Sequence, residues 1–396
     1  MAERKHRVLV IGGGTGGISV AARLCRAMRN PDVAVLEPAE AHYYQPAWTL
    51  VGGLAYRKEK TARPMASVMP RKVTWIRDAA VSIDPEARLV TTRGGDSIAY
   101  ERLVVAAGLS LLWDRIPGLR EGLGTHGVCS NYSYETVDFT RKAIEEFEGG
   151  TAIFTHPSTP IKCGGAPQKI MYLADDHWRR KGIREKCRIV FVIANPKIFA
   201  VKKYADALTK VIERKGIEVR FRHDLVSLDA AGGTAVIRDL ETGGDSIERF
   251  EMLHVTPPMG PPEFLAKSPL ANTAGWVDVD ASSLRHVRYP DVFALGDCSG
   301  LPTSKTAAAI RKQAPVLVAN LLASLSGREG EASYDGYTSC PLVTGYGKLI
   351  LAEFNYQNEP VETFPFDQGK ERASMYALKK WLLPALYWNG MLKGRA

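Results

Sequence analysis

The stretch Arg7-Val8-Leu9-Val10-Ile11-Gly12-Gly13-Gly14-Thr15-Gly16-Gly17 decides the fold. The aliphatic run before the glycines is typical of a parallel strand buried on both faces. Residues 18–28, after the glycines, are predicted to form a helix. Glycines at such a junction let the backbone turn tightly and approach a pyrophosphate, which lies at the helix N-terminus. We therefore expect a dinucleotide-binding unit, the alternative being a glycine-rich turn of another α/β unit.

A carboxylate at the end of the next predicted strand supports this interpretation. Residues 33–36 form that strand, and Glu37 follows it. A carboxylate there accepts hydrogen bonds from ribose hydroxyls and disfavours a ribose phosphate.

Two later segments favour FAD over NAD as the dinucleotide. Residues 100–108 and 289–297 resemble the second and third flavin-binding motifs of flavoproteins with two dinucleotide domains. In that family the Asp of the third motif, here Asp297, binds the ribityl chain and the flavin phosphates. Asp297 also ends an apolar strand, where α/β sheets place ligand contacts. The alternative for Asp297 is a helix cap.

The middle of the chain holds a second βαβ unit without a phosphate-binding loop. We predict strands at 151–155, 188–193 and 218–221, and helices at 168–180 and 202–215. No glycine fingerprint follows either of the first two strands, and prolines there remove backbone N–H groups that a phosphate would use. This domain is therefore not expected to bind a nicotinamide, and electrons must enter from another donor.

A candidate donor is Cys163, in Ile161-Lys162-Cys163-Gly164-Gly165-Ala166-Pro167. The cysteine lies where a strand leads into a helix, and the positive end of a helix stabilises a thiolate. We expect the neighbouring Lys162 to act in the same direction. The alternative is a buried thiol that behaves as a small hydrophobe.

Composition excludes several classes of function. The 396 residues carry a net charge of +9, but the cations are scattered and no basic block with interleaved aromatics predicts nucleic-acid binding. The six cysteines are widely spaced without a CxxC pair, so we expect no metal site. Neither a signal-peptide core nor an apolar run of about 18 residues is present.

The last segment, residues 371–393, interleaves Trp, Tyr and Leu with Lys. This pattern predicts a pair of helices, broken near Pro384, that lies in a membrane interface. The alternative is a C-terminal helix docked on the protein's own core.

Four longer runs, 159–173, 252–259, 302–309 and 337–346, make a more specific pattern than the glycine fingerprint. With them, nearly the whole chain resembles the sulfide:quinone oxidoreductases, in particular the mitochondrial-type branch and its bacterial relatives. The resemblance implies an α/β fold with two Rossmann-like domains and a C-terminal membrane-associating region. We assign residues 1–115 and 280–330 to the FAD domain, 116–279 to the second domain and 331–396 to the C-terminal region.

The resemblance also implies a redox-active pair, Cys163 with Cys340. Hydrogen sulfide attacks at Cys340 and leaves a persulfide there, while the Cys163 thiolate donates to FAD. Sulfite, glutathione or another sulfide accepts the sulfane sulfur, and ubiquinone or another membrane quinone accepts the electrons. A good leaving thiol has a low pKa, which suits Cys163, and Cys340 is the better sulfur carrier if it is the more accessible thiol. By the family pattern the FAD contacts are Gly12, Gly14, Gly17, Glu37, Gln45, Ala80, Asp297, Lys305, Thr306, Ala307 and Ala308.

Other assignments are more open. A third cysteine takes part in some bacterial branches, and Cys129 lies at a matching place, whereas Cys25, Cys187 and Cys298 are interpreted as structural. Apolar candidates for the quinone site are Tyr346, Phe354, Phe366, Met375 and Tyr376, although core packing explains each equally well. We expect a peripheral protein of the bacterial cytoplasmic membrane, or of the mitochondrial inner membrane in a eukaryote. The competing functions are an NADH:quinone oxidoreductase of the same fold and a non-catalytic flavin-binding redox sensor.

Overall fold

The computed structural model describes residues 3–396. Its strands are β1 Glu3–Ile11, β2 Val33–Leu36, β3 Ala41–Tyr43, β4 Ala62–Pro64, β5 Thr74–Ile76, β6 Ala80–Asp84, β7 Leu89–Thr92, β8 Ser97–Val105, β9 Ser110–Leu111, β10 Val128–Cys129, β11 Gly150–His156, β12 Cys187–Ile193, β13 Glu218–Phe221, β14 His223–Asp229, β15 Thr234–Asp239, β16 Asp245–Arg249, β17 Met252–His254, β18 Met259–Gly260, β19 Val292–Ala294, β20 Thr338–Gly345 and β21 Lys348–Phe354. Its α-helices are α1 Thr15–Ala27, α2 Trp48–Gly52, α3 Met65–Val68, α4 Leu119–Gly122, α5 Val137–Glu146, α6 Ala166–Lys181, α7 Lys202–Lys215, α8 Glu263–Ala266, α9 Ala307–Leu325, α10 Ala373–Ala377 and α11 Leu383–Asn389.

The first sheet has the strand order β5-β2-β1-β8-β7-β6, with β19 also paired to β8. Strand β1 runs parallel to β2 on one side and to β8 on the other, so the glycine loop after β1 lies at a topological switch point. The carboxyl half of β8 pairs in parallel with β19. This pairing brings the residues after β19, including Asp297, to the same sheet edge as Gly12.

The second sheet is parallel, with the order β10-β17-β11-β12-β13. Its strands and helices follow the predicted βαβ unit, and α7 has the bounds that the pattern predicts. The buried aliphatic strands explain why the sequence showed continuous apolar runs there instead of alternation. Helix α6 begins soon after β11, and the loop between them carries Cys163.

The C-terminal region begins with the antiparallel hairpin β20–β21, in which Cys340 lies opposite Ala352. Val343 and Leu349 of this hairpin pack with Leu173 of α6 in one buried cluster. Because α6 follows the Cys163 loop, the hairpin brings Cys340 towards that loop.

The tail differs from the predicted pair of broken helices. Helix α10 continues through a widened π-helical turn, Leu378–Leu382, directly into α11, and Pro384 lies in the first turn of α11. Proline lacks the N–H that would bond one turn back, and a widened turn before it keeps the helix continuous.

The tail is docked on one side and exposed on the other. Tyr387, Trp388 and Leu392 are buried in the core cluster of the first domain. In contrast, Trp381 is 63% exposed and Leu382 60% exposed. Within residues 3–396, no helix combines the length and the apolar character that crossing a bilayer requires.

Candidate active site

A cavity of about 410 Å³ lies between the two domains and the tail. Its walls include many residues that the sequence predicted as cofactor or redox contacts: Gly14, Gln45, Cys163, Asp297, Lys305, Thr306, Ala307 and Ala308. Leu378, Lys379, Leu382, Leu383 and Leu386 of the tail close another side. Gly12 lies in the adjoining glycine loop, Gly17 lies in the first turn of α1 after it, and Glu37 follows β2 beside it. Ala80, at the start of β6, does not reach the cavity wall.

The glycine loop has the geometry that a pyrophosphate requires. Gly12 has φ of +99°, and a Cβ there would lie 2.5 Å from the Ala106 carbonyl oxygen. A Cβ on Gly17 would lie 1.8 Å from the Gly12 carbonyl oxygen, so only glycine allows α1 to start this close to β1. No side chain caps the first turn of α1, which leaves its N–H groups free for an anion.

Glu37 holds this loop from the end of β2. Its carboxylate accepts a hydrogen bond from the Gly13 N–H at 2.6 Å and another from the Ala39 N–H at 2.7 Å. The predicted ribose-binding carboxylate therefore lies beside the glycine loop.

Asp297 is free to bind a ligand. Burial raises its pKa, although the nearby Lys305 and Lys162 oppose that shift. None of the residues 3–396 donates a hydrogen bond to its carboxylate, and the N-cap of α9 is Thr306, whose hydroxyl accepts from the Ala309 N–H. The alternative interpretation of Asp297 as the cap of this helix is therefore wrong.

Two thiols meet where the Cys163 loop lines the cavity. The Sγ atoms of Cys163 and Cys340 lie 3.2 Å apart as free thiols. Cys163 has φ of +55°, a conformation that non-glycine residues rarely adopt, and its N–H donates to the Lys305 carbonyl at 2.9 Å. That backbone bond fastens the Cys163 loop to the residues just before α9.

A lysine that the sequence did not single out supports the pair. The Lys169 ammonium, buried in the first turn of α6, donates to Cys163 Sγ at 3.2 Å. A hydrogen bond from Cys340 and the charge of Lys169 hold the pKa of Cys163 well below that of an ordinary thiol, against the effect of burial. The hydrogen bond between the two thiols, together with burial, raises the pKa of Cys340.

One sequence-based expectation for this pair is wrong. Lys162 does not act on Cys163, because its ammonium donates to Gln45 Oε1 at 2.7 Å and to the Tyr132 carbonyl at 3.1 Å. Burial lowers its own pKa to about 8. The condition attached to Cys340 as the sulfur carrier is not met, because Cys340 is 1% exposed inside the hairpin while Cys163 is half-buried and lines the cavity. The assignment of Cys340 as the carrier then depends on Cys163 being the better leaving thiol.

Lys379 is a second residue that the sequence did not reveal. It lies in the widened turn of the tail, and its ammonium donates to the Pro46 carbonyl at 2.7 Å. Burial, reinforced by repulsion from Lys169, lowers its pKa to about 7. In sequence Lys379 is one of several lysines of the tail, and nothing local distinguishes it from the adjacent Lys380.

The apolar candidates for the quinone site lie elsewhere. Tyr346, Phe354, Phe366, Met375 and Tyr376 pack in the cores around the hairpin and do not line the cavity. Leucines of the tail and Phe364 form its apolar wall instead.

The remaining cysteines lie apart from this pair. Cys129 and Cys298 are fully buried, and burial raises their pKa values to about 12 and about 11. Burial also raises the pKa values of Cys25 and Cys187. Across residues 3–396, no cluster of His, Cys, Asp and Glu is arranged to hold a metal ion.

Comparison with known proteins gives consistent matches. The family model of the pyridine nucleotide-disulphide oxidoreductases matches residues 6–146. The mitochondrial sulfide:quinone oxidoreductase of Mus musculus is 47% identical over 394 residues, covering 99% of this chain and 88% of the relative. That of Dictyostelium discoideum is 47% identical over 392 residues, covering 98% and 86%. The solved structure of the Aquifex aeolicus sulfide:quinone oxidoreductase superposes with a TM-score of 0.85 at 19% identity, covering 99% of this chain and 92% of that one, which supports the fold.

Proposed function

The chain belongs to the sulfide:quinone oxidoreductase family, and on this premise we propose that Cys163 and Cys340 oxidise sulfide at the cavity and that the electrons leave through FAD to a quinone. The observation that carries the proposal is the thiol pair, 3.2 Å apart, with the buried Lys169 ammonium on Cys163. Cys163, the lysine that favours its thiolate and the glycine loop thus line the same cavity.

The residues present suit FAD. The glycine loop and the uncapped start of α1 would hold the pyrophosphate, and the Asp297 carboxylate would accept from the ribityl chain. The first turn of α9, Thr306–Ala308, would lie against the flavin ring system. The bound flavin supplies a two-electron acceptor next to the thiols.

The sulfur chemistry belongs to the two cysteines. Hydrosulfide attacks Cys340 in the Cys163–Cys340 disulfide, so that a new S–S bond forms on Cys340. The old S–S bond breaks, and its electron pair leaves on Cys163 as a thiolate. Lys169 stabilises that thiolate, which makes Cys163 the better leaving group.

An acceptor then removes the outer sulfur of the Cys340 persulfide, and we propose sulfite, glutathione or a second sulfide for this role. The disulfide forms again when the two thiols give up two electrons. One sulfide and one acceptor thus yield the sulfurated acceptor, two protons and two electrons. A quinone that takes up the two protons and the two electrons becomes the quinol.

The apolar tail leucines suit a quinone that arrives from a membrane. The cavity meets the surface at Leu382, which lines it and is 60% exposed. We propose peripheral attachment to a quinone-bearing membrane through the tail, the mitochondrial inner membrane or the bacterial cytoplasmic membrane according to the source.

The NADH-dependent alternative finds little support in the second domain. After β11, the Ser158 N–H donates to the Asp224 carboxylate at 3.0 Å, a bond that a cofactor phosphate would have to displace. Pro157 and Pro160 supply no N–H in the same loop.

Steady-state quinone reduction by the FAD-loaded protein tests the proposal. Sulfide should support turnover and NADH should not. Cys163→Ser and Cys340→Ser should each abolish the sulfide reaction while FAD stays bound, whereas Cys129→Ala should retain it. Turnover near the wild-type rate in either Ser variant would reject the mechanism, and turnover with NADH alone would favour the alternative.

A further inference from the structure

A second concavity, which we call the cationic cleft, lies on the outer side of the tail. It measures about 490 Å³ and is open to solvent. Its charged lining residues are Arg57, Lys60, Arg141 and Lys380, and Trp381 forms one flank. The first two follow α2, the third lies on α5 and the fourth on the widened turn of the tail. The fold thus gathers four cations from three separate segments, and none of the described residues that line the cleft is acidic.

These cations are only weakly neutralised. Arg57 pairs with Glu59 at 3.6 Å and Arg141 with Glu145 at 4.0 Å. The side chains of Arg57, Lys60 and Arg141 are exposed, and that of Lys380 is half-buried. Exposed pairs of this kind contribute little. Among residues 3–396, no carboxylate lies within ion-pair distance of the ammonium groups of Lys60 and Lys380. The cleft therefore presents a net positive field to an anion.

The neighbouring surface is apolar and exposed. Trp381 is 63% exposed and lines the cleft, whereas the next residue, Leu382, is 60% exposed and lines the active-site cavity. An exposed Trp next to Lys is the arrangement found where a protein meets the headgroup level of a bilayer. A soluble anion would make no use of these two apolar side chains.

We propose that the cationic cleft binds the headgroup of an anionic membrane phospholipid and so holds the mouth of the active-site cavity against the bilayer. The proposal rests on the proposed function in one respect, because a quinone from the membrane gives this placement its purpose. The proposal adds two points to tail attachment. Membrane binding should be selective for anionic lipids, and the membrane-binding face should include two segments outside the tail, around Lys60 and Arg141.

Vesicle binding by the FAD-loaded protein tests this site. Partition onto vesicles of phosphatidylcholine mixed with phosphatidylglycerol is compared with partition onto phosphatidylcholine alone. The double variant Lys60→Gln with Lys380→Gln should bind the anionic vesicles about twenty-five-fold more weakly, at about five-fold for each cation removed. The matched control is Lys197→Gln with Lys210→Gln, which removes the same charge from exposed lysines outside the cleft. The control should bind nearly as the wild type does.

Two results would overturn the lipid site. Equal losses in both double variants would mean that binding follows net charge and not the cleft. Displacement of the protein from vesicles by inorganic phosphate at constant ionic strength would mean that the cleft takes a soluble anion.

A separate assay keeps the proposed function distinguishable from the lipid site. Sulfide-dependent reduction of a water-soluble short-chain quinone in detergent should be equal in wild type and both double variants. Its absence from the wild type would reject the proposed function and leave the vesicle result standing. A loss confined to the cleft variant would mean that the cleft serves the reaction itself and would overturn the membrane role.

Discussion

The Sγ atoms of Cys163 and Cys340 lie 3.2 Å apart although 177 positions separate the two residues along the chain. One thiol lies in the loop between β11 and α6, and the other lies in the β20–β21 hairpin that packs against α6. The pair therefore exists only when the C-terminal region is docked on the second domain. Two residues at the start of α6 then act on the pair. Lys169 favours the charge on the Cys163 sulfur, and Gly165 leaves room for the Cys340 sulfur to lie close to it.

The first prediction concerns Lys169. Lys169→Met should raise the pKa of Cys163, because it removes the ammonium that donates to the sulfur. An opposite charge in contact with an ionisable group commonly moves its pKa by about one unit or more, so the midpoint of the pH profile for alkylation of the reduced protein by iodoacetamide should rise by about one pH unit or more. The matched control, Lys162→Met, should leave the pH profile of alkylation nearly unchanged. A larger effect from Lys162 than from Lys169 would contradict the assignment.

The second prediction concerns Gly165. A Cβ at this position would lie 2.6 Å from Cys340 Sγ and 2.3 Å from Leu342 Cδ2, so Gly165→Ala must displace the Cys340 thiol and the Leu342 side chain. At the adjacent Gly164 a Cβ meets nothing within 4 Å. The added methyl group overpacks this contact and moves the two sulfurs out of position. Oxidation of the reduced protein should therefore close the disulfide about ten-fold more slowly in Gly165→Ala than in the wild type. Gly164→Ala should behave as the wild type, and equal behaviour of the two variants would refute the spacing argument.

The fold and part of the site could be predicted from the sequence. The strand–glycine–helix pattern at residues 7–28 and the buried strand before Asp297 carry local signals, and the structure places both at one sheet edge. The helix start near Cys163 carries a local signal as well. The cysteine pairing followed from a family resemblance and not from spacing.

Other features depend on three-dimensional packing that no local pattern encodes. Lys169 and Lys379 reach the cavity only through the docking of α6 and the tail, so Lys162, the nearer neighbour in sequence, was the wrong choice. The burial of Cys340 likewise follows from hairpin packing, and a cysteine before a proline gives no hint of it.

The third prediction links the tail to the cofactor loop. Burial lowers the pKa of His42 to about 4, so the ring is neutral, and its Nδ1–H donates to the Gly13 carbonyl at 3.0 Å. Its Nε2 then accepts from the Tyr387 hydroxyl at 2.6 Å, and that oxygen accepts from the Thr15 hydroxyl at 2.8 Å.

Tyr387→Phe removes the hydroxyl from this series of hydrogen bonds beside the glycine loop. The affinity for FAD should fall about ten-fold, since each hydrogen bond contributes about 1 kcal/mol. Equilibrium dialysis or the flavin released on dilution measures the effect. Tyr376→Phe is the control and should keep its flavin, because Tyr376 also lies in the tail and its hydroxyl makes no hydrogen bond within residues 3–396. Unchanged retention in Tyr387→Phe would disprove the link.

The fourth prediction concerns stability and Lys379. Burial lowers its pKa from the ordinary 10.5 to about 7, so above pH 7 the unfolded chain binds a proton that the folded protein does not. Between these two values stability must rise with pH, by at most about 1.4 kcal/mol for each pH unit. Lys379→Met should remove this contribution, and its urea midpoint should rise less between pH 7 and pH 9 than that of the wild type. An equal rise in both proteins would contradict a neutral Lys379 in the folded state.

The central claim is that Cys163 is the thiolate beside the flavin and that Cys340 carries the sulfur. An anaerobic absorbance titration of the oxidised, FAD-loaded protein with sulfide tests it most directly. The account predicts a long-wavelength thiolate–flavin charge-transfer band in the wild type and none in Cys163→Ser. Persistence of that band in Cys163→Ser, or a wild-type flavin that sulfide leaves fully oxidised, would contradict the account.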